Sequence, residues 1–223
     1  MRGVSLSGWG QAADVLQEIW PGVASVDYAK TPHVAHALGL IPAGDMVIGW
    51  SLGGQLAVRA VAAGLIRPKK LVLIATPFQF VATDALKLGM PAAMFRVFRD
   101  NYAANPQQTL NRAWASILKG DSKASDVRAH LERQDREALL DKHWLAWLEH
   151  LQEFSCADMY MGDFPPTLLI HGREDAVVYH AQSLAFAAAI PQSKLVTFES
   201  CGHAPHWHDP QRVAHEIKEF ADG

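Results

Sequence analysis

Three polar residues, far apart in the chain, carry the groups that nucleophilic acyl transfer requires. Ser51 stands in the sequence Gly-Trp-Ser-Leu-Gly, between an apolar run and a helical pattern that begins at Gln55. The flanking glycines allow the sharp strand-to-helix turn that presents a serine hydroxyl. That hydroxyl is a weak nucleophile, so it needs a base within reach and a third group that orients the base. We predict that His203 is this base and that Asp175 orients it.

The acid and the base each follow an apolar run. The segment from His171 to Asp175 follows one run, and the segment from Ser200 to His203 follows the next. Both segments lie just past the carboxyl ends of predicted strands, where open α/β sheets place their sites. Asp175 is favoured over Glu174, because adjacent loop residues point in different directions. His171 is expected to close its strand by hydrogen bonding to the backbone.

Two other kinds of site are considered in the same region. Cys201 lies two residues before His203 and could be a nucleophile, but free cysteines are most often buried small apolar residues. The run from His203 to Asp209 crowds imidazoles and a carboxylate as a metal site would. Neither an HExxH nor a paired CxxC motif accompanies it. The expectation is therefore no metal and no cofactor.

Acyl transfer also requires amide donors that meet the negative charge developing on the carbonyl oxygen. The backbone N–H of Leu52, directly after the serine, is one predicted donor. The second is expected in the loop Ser7-Gly-Trp-Gly10 after the first strand, and the backbone N–H of Trp9 is chosen.

These residues must be positioned by a parallel sheet, because short apolar runs alternate with longer helical patterns. The alternation predicts six strands: Val4 to Ser7, Ser25 to Tyr28, Met46 to Trp50, Lys70 to Thr76, Thr167 to His171, and Lys194 to Phe198. Runs such as LVLIAT are continuously apolar, as expected of strands covered on both faces.

The alternation stops between residues 78 and 160, where apolar residues recur at spacings of three and four. This predicts a purely helical insertion, a lid, within a catalytic core formed by residues 1–77 and 161–223. The apolar stripes of the insertion, which include Phe98 and Leu148, either pack it onto the core or line an acyl pocket.

Composition narrows the classes of partner. Of the 223 residues, 49% are hydrophobic and 19% are charged, with a formal net charge of −3. This balance gives no broad basic surface for nucleic acid or an anionic membrane, and favours a small acyl ester as substrate. The first residues lack the pattern of a secretory signal, and two cysteines do not make a disulfide framework. A cytoplasmic protein is expected.

The motifs SGWG, GWSLGG, HGREDAVV and CGHAPHWHDP together resemble the α/β-hydrolase superfamily. Within it, the chain most resembles the pimeloyl-acyl carrier protein methyl ester esterases of biotin synthesis. The resemblance implies an α/β-hydrolase fold with a minimal, mostly parallel sheet of about six strands, and a carboxylic ester hydrolase that forms an acyl-enzyme. Two departures stand out: Ser7 replaces the usual histidine before Gly-Trp-Gly, and no antiparallel hairpin precedes Val4.

The family also implies an acidic carrier protein that docks through basic lid residues. The candidates here are Arg112, Lys119, Lys123, Arg128, Arg133 and Arg136. Between Arg112 and Arg136 these six basic residues accompany four acidic ones, so an ordinary solvated face is the other interpretation. Two further functions stay open: a broad-specificity short-chain esterase with no carrier partner, and a non-catalytic small-molecule binding protein on the same fold.

Overall fold

The computed structural model describes residues 2–31, 33–135, 137–140 and 143–223. It contains one six-stranded sheet in which every neighbouring pair of strands is parallel. The strands are β1 (Gly3–Leu6), β2 (Ala24–Ser25), β3 (Met46–Trp50), β4 (Lys70–Ile74), β5 (Thr167–Gly172) and β6 (Ser193–Phe198). Their order across the sheet is β2-β1-β3-β4-β5-β6. The six predicted strands are confirmed, and the sheet is wholly rather than mostly parallel.

The predicted strand from Ser25 to Tyr28 shares only Ser25 with β2, which consists of Ala24 and Ser25. It is an edge strand, paired only with β1. After Val26, whose N–H still donates to Ser5 O, the chain leaves the sheet. The Tyr28 hydroxyl then donates to the carbonyl oxygen of Ser7 at 2.6 Å. The final residue of that predicted strand therefore supports the loop after β1.

Helices cover both faces of the sheet. They are α1 (Val34–Gly39), α2 (Leu52–Ala62), α3 (Ala92–Ala104), α4 (Pro106–Leu118), α5 (Ala124–Glu132), α6 (His143–Glu153), α7 (Ala181–Ala189), α8 (Pro205–His208) and α9 (Pro210–Asp222), with a 3₁₀ turn at Ala138–Leu140. Several begin with recognisable signals. In α9, for example, the Asp209 side chain accepts a hydrogen bond from Arg212 N, and Pro210 is the first helical residue.

The core is divided by the sheet into two apolar clusters. Alternate residues of a strand point to opposite faces, so Val47 and Leu71 lie in one cluster, whereas Ile48 and Val72 lie in the other. All of these side chains are buried. Strands covered on both faces explain the continuous apolar runs in the sequence.

The segment predicted to be a purely helical insertion, residues 78–160 and called the insertion below, contains α3 to α6 between β4 and β5 but begins with a non-helical stretch in which Val81 bridges to Met90. Its two ends lie side by side, because Gln79 and Ser155 form an antiparallel bridge and the Ser155 hydroxyl donates to Gln79 Oε1 at 2.7 Å. The apolar stripes have both of the uses considered above. Trp147 is fully buried in the core, whereas Phe98 and Leu148 line a cavity.

Candidate active site

Ser51 occupies a strained turn between β3, which ends at Trp50, and α2, which begins at Leu52. Its backbone angles are φ 54° and ψ −118°, a conformation that costs a non-glycine residue roughly 1–3 kcal/mol. The Ser51 N–H donates to Ile74 O of β4 at 2.9 Å, which fixes the turn to the sheet. The helix begins at Leu52, three residues before the predicted start at Gln55, so Ser51 directly precedes its N-terminus.

Close packing behind the turn explains the glycines that follow. A Cβ atom on Gly53 would lie well under 3.0 Å from the carbonyl oxygens of Leu6 and Ser7, and one on Gly54 would collide with Thr76 Oγ1. The start of α2 can therefore approach β1 only where no side chain intervenes.

The structure brings the three predicted residues into one hydrogen-bonded line. His203 Nε2 lies 3.0 Å from Ser51 Oγ, and His203 Nδ1 lies 2.7 Å from Asp175 Oδ2. All three residues are buried, with exposed fractions of 7% or less. These distances are within hydrogen-bonding range, so the imidazole can accept the serine proton while the carboxylate fixes its tautomer.

The environment of Asp175 favours the ionised carboxylate. Burial alone would raise its pKa, but the charge of His203 and hydrogen bonds from His171 and His203 outweigh burial and lower the pKa. Asp175 Oδ1 accepts the N–H groups of Val177 and Val178, each at 2.8 Å. His171 Nε2 lies 2.8 Å from Val178 O, as expected of a residue bonded to backbone, and also 3.2 Å from Asp175 Oδ2.

The loops after β5 and β6 are held together by backbone hydrogen bonds. Arg173 N donates to Phe198 O, and Glu174 N donates to Cys201 O, each at 2.9 Å. A Cβ atom on Gly172 would collide with the carbonyl oxygens of Cys201 and Gly202, so this close approach requires glycine. The loops that carry Asp175 and His203 therefore extend the pairing of their strands.

The other candidates for the acid, the nucleophile and a metal ligand do not join the line of Ser51, His203 and Asp175. Glu174 is exposed, whereas Asp175 is buried against the imidazole. Cys201 is fully buried, and burial together with the charges of Asp121 and Asp175 raises the pKa of its thiol, which opposes a thiolate nucleophile. His206 packs against Trp50 with ring centroids 4.4 Å apart.

His208 also turns away from the triad, because its Nδ1 lies 2.7 Å from Asp121 Oδ1. The three imidazoles of the segment 203–208 therefore have three different surroundings. Among the described residues, a group of three possible metal ligands is formed instead by Asp121, Cys201 and His208.

Leu52 and Trp9, whose backbone N–H groups are the predicted oxyanion donors, flank the site from two elements of the core. Leu52 is the first residue of α2, so its N–H has no acceptor within the helix. Trp9 lies in the loop after β1, and its indole Nε1 donates to Trp144 O of α6 at 2.8 Å. The Tyr28 hydroxyl supports the same loop through Ser7 O, and burial raises the pKa of Tyr28, which keeps it a donor. Nothing in the sequence pattern had indicated this role of Tyr28.

A cavity of about 300 Å³ opens beside Ser51 and His203. More than half of its lining belongs to the helical insertion, which contributes Phe80, Met90, Phe98, Leu110, Leu148 and Leu151. The lining is mostly apolar with a few polar groups, as is typical of small-molecule sites. The arrangement can hold an acyl chain against the serine.

Five of the six basic docking candidates lie within the described residues, and Arg136 lies outside them. Those five are exposed, and within the described chain no ion pair joins them to an acidic side chain. Lys119 also lines the cavity. Asp121, one of the four acidic residues of this stretch, is only 8% exposed and pairs with His208. Its charge therefore offsets the exposed basic side chains less than a count of the sequence indicates.

A parallel sheet with helices on both faces and a serine elbow at the carboxyl end of a central strand define a class of enzyme, the α/β hydrolases. The sequence profile of the α/β hydrolase family matches residues 4–216, and the chain belongs to this family.

Relatives narrow the class. The chain is 32% identical over 178 residues to a pimeloyl-[acyl-carrier protein] methyl ester esterase of Nitrosomonas europaea, covering 77% of this chain and 69% of the relative. It is 27% identical to the enzyme of the same name from Aromatoleum aromaticum, covering 99% and 98%. The prediction of a carboxylesterase is confirmed.

Solved structures show how widely the fold is shared. A bromoperoxidase from Bacillus anthracis superimposes with a TM-score of 0.84 at 16% identity, over 100% of this chain and 92% of that one. An esterase from Exiguobacterium antarcticum gives 0.76 at 14% identity, over the same shares. The fold alone therefore does not choose the reaction. Among the described residues, no helix combines the length and apolar character that a membrane crossing requires.

Proposed function

We propose that the chain hydrolyses the methyl ester of a pimeloyl group carried on acyl carrier protein, through an acyl-enzyme on Ser51. The observation that carries the proposal is the hydrogen-bonded line Ser51, His203 and Asp175 beside an apolar cavity. The names of the curated relatives supply the particular ester.

The chemistry follows from the positions of these groups. Ser51 Oγ attacks the ester carbonyl carbon while His203 Nε2 takes the hydroxyl proton. The N–H groups of Trp9 and Leu52 stabilise the negative oxygen of the tetrahedral intermediate. His203 then gives its proton to the leaving methoxide, which departs as methanol. Water repeats the sequence on the acyl-enzyme, and the products are the free carboxylic acid and regenerated Ser51.

The insertion supplies the acyl pocket and, in this proposal, acts as a lid that carries the docking surface. Arg112, Lys119, Lys123, Arg128 and Arg133 lie on or beside α4 and α5 and are exposed. Positive charge next to the cavity suits an acidic carrier, because complementary charge speeds association and fixes orientation. A broad esterase without a carrier partner would need only the cavity.

The test compares pimeloyl-carrier methyl ester with a free methyl ester of the same acyl chain, at low and high salt. Arg112→Glu combined with Arg128→Glu is expected to lower kcat/KM for the carrier substrate at least about fivefold at low salt, with little change for the free ester. Arg67→Glu is the matched control, because Arg67 is an exposed arginine just before the amino end of β4, whereas Ser51 follows the carboxyl end of the parallel strand β3.

Two outcomes would redirect the proposal. Equal, salt-insensitive turnover of both esters would favour a broad esterase. Failure of a serine-directed fluorophosphonate probe to label Ser51 in the folded protein would favour a binding protein without catalytic activity.

A further inference from the structure

The α4–α5 turn, residues 117–123, belongs to the insertion but contacts the loop that carries the catalytic base. Ser122 N donates to Ser200 O at 2.8 Å, and His203 N donates to Ile117 O at 3.3 Å. On its other side, His203 O accepts the indole N–H of Trp50 at 3.0 Å. The backbone of His203 is therefore held between the core and the insertion.

Asp121 forms the centre of this contact. Its Oδ2 accepts the N–H of Gly202 at 2.9 Å, directly before the catalytic histidine. Its Oδ1 accepts the N–H of Lys123 at 2.8 Å and lies 2.7 Å from His208 Nδ1. One buried carboxylate thus joins the insertion to both sides of His203 along the chain.

Close packing shows that the turn fits tightly against both catalytic loops. A Cβ atom on Gly202 would lie 2.6 Å from Ile117 O. Gly120 has φ +78°, and a Cβ atom there would lie 2.8 Å from Glu174 Cβ, next to Asp175. Neither approach leaves room for a side chain.

The His203 loop needs such support because it contains a strained residue. Ser200 has φ 54°, a conformation that persists only where neighbouring structure holds it. The hydrogen bond from Ser122 N to Ser200 O falls on this residue.

A metal site is the other interpretation of this cluster, because ligand atoms of Asp121, Cys201 and His208 lie within 4.8 Å of one another. Both carboxylate oxygens of Asp121 already accept hydrogen bonds, and the buried Cys201 thiol has a raised pKa. Metal ligation requires a thiolate and free lone pairs, so a hydrogen-bonded network describes the cluster better.

We propose that Asp121 is a positioning residue, which holds the His203 loop in register with Ser51 through Gly202 N–H and His208. The inference rests on the proposed esterase function. It makes the insertion part of the support of the catalytic base, in addition to a wall of the acyl cavity.

The test is Asp121→Asn, which keeps the size of the side chain but replaces one acceptor oxygen by an NH₂ donor. Either Gly202 N–H or the His208 imidazole then loses its acceptor oxygen on residue 121. Turnover of a short p-nitrophenyl ester is measured per active site, with active sites titrated by a fluorophosphonate. We expect kcat per active site to fall about tenfold with KM within about twofold, since the acyl pocket is untouched. Asp126→Asn, at an exposed aspartate of α5, is the matched control and should change neither value.

A second pair of variants covers the case in which Asp121→Asn does not fold. His208→Leu removes the partner of Asp121 and should lower kcat per active site, whereas His208→Asn places an amide N–H near the position of Nδ1 and should recover part of it. An unchanged kcat in Asp121→Asn, or equal values in the two His208 variants, would overturn the inference. An inactive, unlabelled wild-type protein would instead refute the proposed function itself.

Discussion

Ser51 Oγ and His203 Nε2 lie 3.0 Å apart, yet the backbones of the two residues are held by different parts of the molecule. The serine turn is held within the core: Ser51 N donates to Ile74 O of β4, and the glycines at the start of α2 pack against the carbonyl oxygens of Leu6 and Ser7. The histidine loop is set by residues distant in the chain: Trp50 from the core and Ile117 and Asp121 from the insertion. The position of the proposed nucleophile therefore depends on packing and hydrogen bonds within the core, whereas the position of the proposed base also depends on hydrogen bonds from the insertion.

The largest expected effect tests the serine side of this contrast. Ser51→Ala should lower kcat at least about 10⁴-fold while the protein stays folded, because the remaining groups cannot supply a nucleophile. Ser116→Ala is the control, since Ser116 also lines the cavity but donates its hydroxyl to Arg112 O at 3.1 Å. Near wild-type ester hydrolysis by Ser51→Ala would show that Ser51 is not the nucleophile.

A smaller effect, on stability and not on activity, tests the close packing behind the same turn. Gly53→Ala should lower the free energy of unfolding by about 3 kcal/mol, because the new methyl group meets the carbonyl oxygens of Leu6 and Ser7. Gly39→Ala, in α1 with nothing within 4 Å of its Cβ position, should change it by about 1 kcal/mol or less. Urea unfolding followed by tryptophan fluorescence measures both. Equal stabilities for the two variants would show that the elbow is not held by close packing.

The smallest effect is the pH dependence of stability that the buried His206 causes. Burial, followed by the charges of His203 and His130, lowers the pKa of His206 well below its ordinary value. The unfolded chain takes up a proton near pH 6.5 that the folded protein excludes. The free energy of unfolding therefore falls as the pH drops below about 6.5, and this contribution is present in full above that value.

His206→Phe should remove this dependence. Between pH 7.5 and pH 5, the free energy of unfolding of the wild type should fall more than that of the variant. His215→Gln, at an exposed histidine of α9, should follow the wild type. A His206→Phe protein whose stability changes with pH as the wild type does would place His206 in contact with solvent.

The parts of the site that could be predicted are those written in contiguous residues. The elbow around Ser51 and the strand exits bearing Asp175 and His203 are recognisable from neighbouring residues. A parallel sheet then brings the carboxyl ends of its strands to the same end of the sheet. Tyr28 was assigned to a strand, and its hydrogen bond to Ser7 O was not foreseen. Asp121 was counted as one acidic residue of a mixed-charge surface, although it is buried against Gly202 and His208.

The sequence by itself predicted six strands, a mostly parallel sheet, the family and the three residues that form one hydrogen-bonded line, because alternating patterns and short motifs encode local geometry. Only the tertiary structure decided which insertion residues line the cavity beside Ser51, and that the α4–α5 turn contacts the histidine loop. The reason is physical: amphipathic helices specify that one face is buried, but the partner of that face depends on how the helices pack.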